Sequence, residues 1–254
     1  MIIFAQNYTQ YKIMKFAIIA AGEGSRLTAE GVKVPKPLVQ VADEKLIDRL
    51  IRVFMENDAT EIVVICNDIT TMVSKHLMNL QKEGLNGMPV PIRFVVKSTS
   101  SSMHSFYEIS PYLCDGPFCL TTVDTIFKEQ MFSEYIKRFK MLLEENSADG
   151  LMGVTDYVDD EKPLYVGVDQ NFNITGFFDE NNDYRYISGG IYGLTPKALD
   201  TLKHCIDRGE SRMRNFQRAL IADGVRLKAY PMNKIMDIDH ADDIIKAEIF
   251  LQER

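Results

Sequence analysis

Gly22, Gly24, Arg26 and Lys36 lie close together in the chain, and side chains of these types at this spacing could hold a row of phosphates. The run is Gly22-Glu23-Gly24-Ser25-Arg26-Leu27, followed by Pro35-Lys36-Pro37-Leu38. Glycines without Cβ let backbone N–H groups come close to an anion. Arginine can grip phosphate oxygens with a planar fork, and lysine adds a compact positive charge. The two prolines stiffen the backbone on either side of Lys36, so less freedom is lost on binding.

Two common glycine motifs are excluded. A Walker loop needs Gly-Lys-Ser/Thr, and here Gly24 is followed by Ser25-Arg26. A dinucleotide fingerprint needs a third glycine where Leu27 stands, and a ribose-binding acid at the end of a second strand. Asp43 and Asp48 are at the right distance but fall where a helix is expected to start.

Acids that could meet a metal lie far along the chain. Asp124 ends the apolar run Phe118-Cys119-Leu120-Thr121-Thr122-Val123. An acid at the carboxyl end of a buried strand suits a metal better than packing, although it could also cap a helix near Phe127. The second acid is Asp237 or Asp239, in Met236-Asp237-Ile238-Asp239-His240-Ala241-Asp242-Asp243. In an extended segment both share one face. Asp242 and Asp243 read as first-turn acids opposing a helix dipole, and Asp239 could be the N-cap with Asp242 at N3. Asp237 is placed ahead of Asp239 as the ligand. Mg²⁺ takes oxygen ligands, with one or two carboxylates completed by phosphates and water.

Two further loops could carry binding groups. Lys97-Ser98-Thr99-Ser100-Ser101-Ser102-Met103-His104-Ser105 follows a strand and opens a helix, with Ser102 as the expected N-cap. His104 reads as a surface residue at the helix start. In Ile187-Ser188-Gly189-Gly190-Ile191-Tyr192 the glycines fit either a ligand's approach or a bulged strand. Phe177, Phe178, Tyr184, Tyr186 and Tyr192 could wall a ligand, but core is their commoner fate.

The elements that must position these groups alternate at first. Strands are expected at 16–20, 61–66, 92–96 and 118–121, with amphipathic helices at 46–57, 70–83 and 103–113 between them. That order predicts parallel strands with helices on both faces and ligands at the strands' carboxyl ends. A helix at 135–145 follows. Strands are then expected at 151–157, 164–169, 173–178 and 185–194, helices at 196–207 and 213–223, a strand at 226–230 and a last helix at 241–252.

The 254 residues suit one large α/β domain, and the net charge of −7 argues against a nucleic-acid surface. Cys66, Cys114, Cys119 and Cys205 show no metal or redox spacing. Cys66, Cys114 and Cys119 sit in apolar runs and read as buried thiols in a reducing cytoplasm. No apolar run reaches membrane-spanning length, so no membrane partner is expected. Residues 1–13 do not fit the strand–helix pattern and read as a leader ahead of Met14.

Residues Ala20 to Leu38 resemble the signature Ala-Ala-Gly-x-Gly-x-Arg-Leu … Pro-Lys-Pro-Leu of the sugar-1-phosphate nucleotidylyltransferases and their phosphocholine cytidylyltransferase relatives. Weaker similarity extends to the C-terminus. The resemblance implies a Rossmann-like α/β fold. Its mixed, mostly parallel sheet would be flanked by helices, as in the nucleotide-diphospho-sugar transferases, with a small β extension on the acceptor side. Residues 14–254 would form one domain, with a nucleotide-binding half at 14–125 and an acceptor-binding half at 126–254.

The activity implied is condensation of an NTP with a phosphorylated sugar or alcohol, assisted by Mg²⁺, with release of pyrophosphate. Arg26 would hold the β and γ phosphates and Lys36 would bridge the α-phosphate and the acceptor phosphate. Ala20, Ala21, Gly22, Gly24 and Ser25 would line the nucleotide's site, with Ser101 and Ser102 at the base. Asp124 would bind the metal with Asp237 or Asp239. Gly189, Gly190 and Tyr192 would line the acceptor's site, and homo-oligomers are compatible with the reading. The family's Glu-Lys-Pro acceptor motif is not found after Phe177. Glu161-Lys162-Pro163 comes earlier and reads as a turn, and Arg185 or Lys162 could substitute for the missing lysine.

Two rivals remain open on sequence. A glycosyltransferase could use Asp237-Ile238-Asp239 as an Asp-x-Asp metal motif, although its donor has no γ-phosphate for the Arg26–Lys36 block to hold. A non-catalytic nucleotide or sugar-phosphate sensor could keep the fold.

Overall fold

The computed structural model describes residues 14–159 and 161–253, so the leader expected at 1–13 lies outside them. Strand β1 (Met14–Ala20) is apolar at nearly every position because both its faces are covered. Phe16, Ile18 and Ala20 enter one apolar cluster, while Ala17 and Ile19 enter another. Alternating side chains make a strand between two helical layers read as a continuous apolar run.

The chain then forms α1 (Ser25–Ala29), a 3-10 turn at Lys36–Leu38, and a hairpin of β2 (Gln40–Val41) and β3 (Glu44–Lys45). Next come α2 (Leu46–Glu56), β4 (Ala59–Cys66), α3 (Thr71–Glu83) and β5 (Ile92–Val96). Helix α4 (Ser102–Ile109) and strand β6 (Phe118–Thr122) complete the first half. Strands β6, β1, β4 and β5 lie side by side in that order, all parallel.

The second half comprises β7 (Thr125–Ile126), α5 (Glu129–Glu144), β8 (Gly150–Thr155), β9 (Tyr165–Val168), β10 (Ile174–Phe178) and β11 (Tyr186–Leu194). It ends with α6 (Lys197–Asp207), α7 (Met213–Ala222), β12 (Leu227–Pro231), β13 (Met236–Asp237) and α8 (Ala241–Gln252). Strand β11 runs antiparallel to β6 and carries the sheet outward to β9 and β10, while β8 pairs with β11 and β12. This is the expected mixed α/β sheet, with a parallel centre and a β extension from the second half.

Helices α2, α3, α5 and α8 cover one face of the sheet and α4, α6 and α7 the other. On the first face Phe16 stacks on Phe54 with centroids 4.6 Å apart, and Phe132 continues the stack to Phe127 at 4.7 Å. Such stacks add to area burial, and they seat α5 beneath the loop that bears Asp124. No helix among the described residues is long and apolar enough to cross a membrane.

Several local expectations are corrected. Helix α5 starts at Glu129, six residues before the expected start, and its N-cap is Lys128; Asp124 does not cap it, because Thr125 and Ile126 between them pair with β13. The N-cap of α4 is Ser101, whose Oγ accepts from the His104 N–H, so the cap is one residue before the expected Ser102. The N-cap of α8 is His240 with Asp243 at N3, one residue later than the Asp239–Asp242 alternative. Cys114 is exposed, whereas Cys66, Cys119 and Cys205 are buried. The apolar run around Cys114 turns its Leu113 side chain into the core instead.

Candidate functional site

After β1 the backbone turns at Gly24, which takes φ 63 and ψ 31 directly ahead of α1. Glycine adopts this left-handed geometry without steric cost. A Cβ on Gly24 would stand 3.2 Å from Lys36 Cβ, so the glycine lets the two parts of the motif touch. Buried Asn67, just after β4, donates from Nδ2 to the carbonyls of Ala21 (3.3 Å) and Gly22 (3.1 Å). Sequence reasoning missed this residue. Its position after a buried strand, at the expected ligand edge, was the available signal.

Lys36 opens the 3-10 turn between its prolines, and its side chain is only 10 % exposed. Its Nζ donates to Asp124 Oδ2 and to Asp239 Oδ1, the latter at 2.8 Å. Arg26 Nη1 donates to the other oxygen of Asp239, also at 2.8 Å. Burial disfavours the Lys36 ammonium, but the two carboxylates outweigh it and hold its pKa above the ordinary lysine value. Burial likewise opposes the Asp239 charge, and Lys36 and Arg26 overcome it to hold its pKa low.

The two acidic segments meet through a ribbon of two residues per strand. In β7 and β13, Ile126 pairs with Met236 and Thr125 with Asp237. The Ile238 N–H donates to the Asp124 carbonyl at 3.1 Å. Asp237 is accessible from the cleft, yet protein closes round it on its other sides. That crowding, and then the Asp124 charge, push its carboxyl up to about 8.

Two cavities meet at this cluster. One, of about 450 Å³, is lined by Ala21, Gly22, Gly24, Ser25, Lys36, Asp124 and the hydroxyls of Thr99 to Ser102. The other, of about 370 Å³, is lined by Thr155, Tyr157, Lys162, Ser188, Gly189, Asp237 and Lys246. Arg26 and Asp239 line both.

Most of the residues singled out from sequence therefore face these cavities. Ala20 lies beneath the turn, 2 % exposed, and lines neither. Gly189 and Gly190 sit at a register break in β11 between Ser188 and Ile191, so both expectations for this segment meet at Gly189, which lines the second cavity, whereas Gly190 takes φ +72 against Thr125 and lines neither. A Cβ on Gly189 would come within 2.3 Å of Ile235 Cδ1. Tyr192 points into the core, where its hydroxyl accepts from Gln217 Nε2 at 3.4 Å, and it lines neither cavity.

The other aromatics also pack as core or against one another, with Phe178 stacked on Tyr184 at 4.5 Å. Arg185 points away to Asp156 and the Tyr186 ring. Lys162, in the segment read as a turn, lines the second cavity, and its carbonyl accepts from Arg214 Nη2 at 2.9 Å.

Among the described residues, no three His, Cys, Asp or Glu side chains converge into a preformed metal cage. The acids facing the cavities offer oxygen donors only. Asp124 and Asp237, held by the ribbon, suit a hard cation that takes one or two carboxylates and draws its other ligands from phosphates and water.

A family model described as Nucleotidyl transferase matches residues 15–254. Among solved structures, a putative glucose-1-phosphate thymidylyltransferase from Bacillus anthracis is 19% identical at TM-score 0.79, and the match covers 95% of this chain and 96% of that one. The inositol-1-phosphate CTP transferase from T. maritima is 19% identical at TM-score 0.73, covering 95% of this chain and 97% of its own. CTP:phosphocholine cytidylyltransferase from Streptococcus pneumoniae is 18% identical at TM-score 0.73, covering 94% and 100%. These structures share the fold, and the family match spans both halves of the sheet and both cavities. The chain belongs to the nucleotidyl transferase family.

Proposed function

We propose that this chain condenses an NTP with a phosphorylated sugar or alcohol, giving an NDP-conjugate and pyrophosphate with Mg²⁺ as cofactor. The observation that carries this reading is the junction of the two cavities. Lys36 Nζ stands between Asp124 and Asp239 there, and Arg26 grips the far oxygen of Asp239. A triphosphate laid along the glycine turn would put its α-phosphorus beside Lys36 and its β and γ phosphates within reach of Arg26. An acceptor phosphate entering from the second cavity would reach the same lysine.

An acceptor phosphate oxygen attacks the α-phosphorus, the new P–O bond forms, and the bond to the β-phosphate oxygen breaks to release pyrophosphate. The attacking monoester is already largely ionised at neutral pH, so no general base is needed. Lys36 and Arg26 neutralise charge between anions that would otherwise repel, and positioning supplies much of the rest. When bound, Mg²⁺ would supply further charge neutralisation, with Asp124 and Asp237 as its protein ligands. Asp239 then serves to orient the two cations. Ala21, Gly22, Gly24 and Ser25 line the phosphate end, and Ser101 and Ser102 the base end. Ser188, Gly189 and Lys162 line the acceptor's side. We read residues 14–125 as the nucleotide half and 126–254 as the acceptor half of one domain. A reducing cytoplasm suits its free cysteines.

Pyrophosphate release, with each NTP against sugar-1-phosphates, phosphocholine and glycerol phosphate, tests the reading. Lys36→Ala and Asp124→Asn should each cut turnover at least about a hundredfold, the scale of losing one electrostatic stabiliser. Near-normal rates in both would overturn it. UDP-sugar hydrolysis without NTP use would favour a glycosyltransferase, and ligand binding with no pyrophosphate release a sensor.

A further inference from the structure

Glu30 joins the loop that bears Arg26 to the segment that bears Asp239. It caps the C-terminus of α1, where its own N–H donates to the carbonyl of Arg26 at 3.0 Å. Its carboxylate reaches across to the start of α8. There Oε2 accepts from the Ala241 N–H at 2.6 Å, and Oε1 meets His240 Nδ1 at 2.6 Å. The neighbouring amides are held from within the helix, because Asp243 Oδ2 accepts from Asp239 N–H at 3.1 Å and His240 N–H at 2.8 Å. Three successive amides are therefore fixed, two by the helix's own capping acid and the third by a side chain from the glycine loop.

A helix start needs its first amides satisfied, and a local side chain or water can do that. A carboxylate from 211 positions away adds a constraint that a local cap cannot provide. One path runs from the Arg26 backbone through Glu30 to Ala241, two residues from Asp239. The opposing path is the Arg26–Asp239 ion pair itself, at 2.8 Å. Glu30 closes the ring from the outside of the two cavities, since it lines neither.

We propose that Glu30 is a positioning residue for the transfer reaction, a clamp that sets the distance between Arg26 and Asp239 without touching substrate. This rests on the proposed function for its catalytic consequence, though not for the clamp itself. Rigid placement matters because a displacement of about 1 Å at a reacting centre can cost on the order of a hundredfold in rate.

Amide hydrogen exchange on the free full-length chain reads the clamp without substrate or metal. Glu30→Ala should speed exchange in both 24–31 and 238–243, with α5 and α6 unchanged. Glu30→Gln should keep both segments slow, because its amide can still accept from the Ala241 N–H and donate to a neutral His240 Nδ1. In pyrophosphate release, Glu30→Ala should lower kcat about tenfold with KM for NTP within about threefold, and Glu30→Gln should restore most of the loss. Should Glu30→Ala not fold, Glu30→Asp carries the same expectation, since one methylene less cannot span both partners. Exchange altered in one segment only, a loss confined to KM, or a Gln variant no better than Ala would overturn the clamp. Absence of pyrophosphate release by the wild type would instead sink the proposed function, and the exchange result would still decide the clamp.

Discussion

Arg26 and Asp239 are 213 positions apart in the chain, yet they meet at 2.8 Å in the wall that divides the two cavities. Asp239 spends both its oxygens on cations, one on Arg26 and one on Lys36. Asp237, two residues earlier, faces the second cavity with the Asp124 charge close by. Side chains two apart on an extended segment share a face, but here they have different neighbours, and the proposed function gives them different tasks.

Those tasks separate under mutation. Asp237→Asn should raise the Mg²⁺ concentration needed for half-maximal pyrophosphate release, and excess Mg²⁺ should recover much of the rate. Asp239→Asn should lose about a hundredfold that excess Mg²⁺ does not restore, because it releases Arg26 and Lys36, the cations proposed to hold phosphate, from their anchor. A Mg²⁺ titration of both variants checks this, and identical curves would contradict the division of roles.

The two glycines of the turn should also behave differently. Gly24 holds φ +63 with Lys36 Cβ against the space a side chain would fill, whereas a Cβ on Gly22 meets nothing within 4 Å. Gly24→Ala should cost about 1 kcal/mol of backbone strain and displace Lys36, lowering both Tm and kcat. Gly22→Ala should leave Tm near the wild-type value and raise KM for NTP, because only an incoming ligand would need that space. Thermal melts alongside initial rates distinguish the two.

The sheet was legible in the sequence because burial writes itself into the pattern. Strands β1 and β4 are apolar on both faces, and α2, α3, α6 and α7 keep helical spacing, so their expected and observed limits agree closely. Two-residue strands leave no such period. The β7/β13 ribbon that unites Asp124 with Asp237 depends on pairing between distant segments, which a single sequence does not display. The hairpin at Gln40–Lys45 turns on Ala42 and Asp43, both at positive φ, which alanine does not advertise. At the site, the loop cations were recognisable from type and spacing. Asn67 and Glu30 were not, since each acts through backbone groups brought to it by the fold.

Thiol chemistry gives a direct check on the packing. Cys66, Cys119 and Cys205 are fully buried, and burial pushes the Cys66 and Cys205 thiols up to about 11. Thiolate is the reactive form, so these should resist modification. Cys114 is exposed. A thiol-specific reagent should label one cysteine quickly in the native protein and all four in denaturant, and peptide mapping should place the fast label on Cys114.

Asp149 predicts how the fold responds to acid. It stands at the turn into β8, where its carboxylate accepts from Arg226 Nε and Nη2 at 3.0 Å, from the Arg226 N–H at 2.9 Å and from Lys197 at 3.3 Å. Burial works to raise its pKa, but these donors prevail and hold it at about 2, below the ordinary 3.8. A depressed carboxylate pKa means that the folded state binds the proton less readily than the unfolded chain. Its stabilisation is therefore complete above the unfolded pKa and disappears as pH falls through the folded one. From that shift, Asp149→Asn should cost about 2 kcal/mol at pH 7, somewhat less because Arg226 is half exposed. The gap between variant and wild type should narrow below about pH 4 and close towards pH 2, when followed by urea denaturation across that range. A gap that stays constant with pH would mean that the Asp149 charge does not pin β8 to β12.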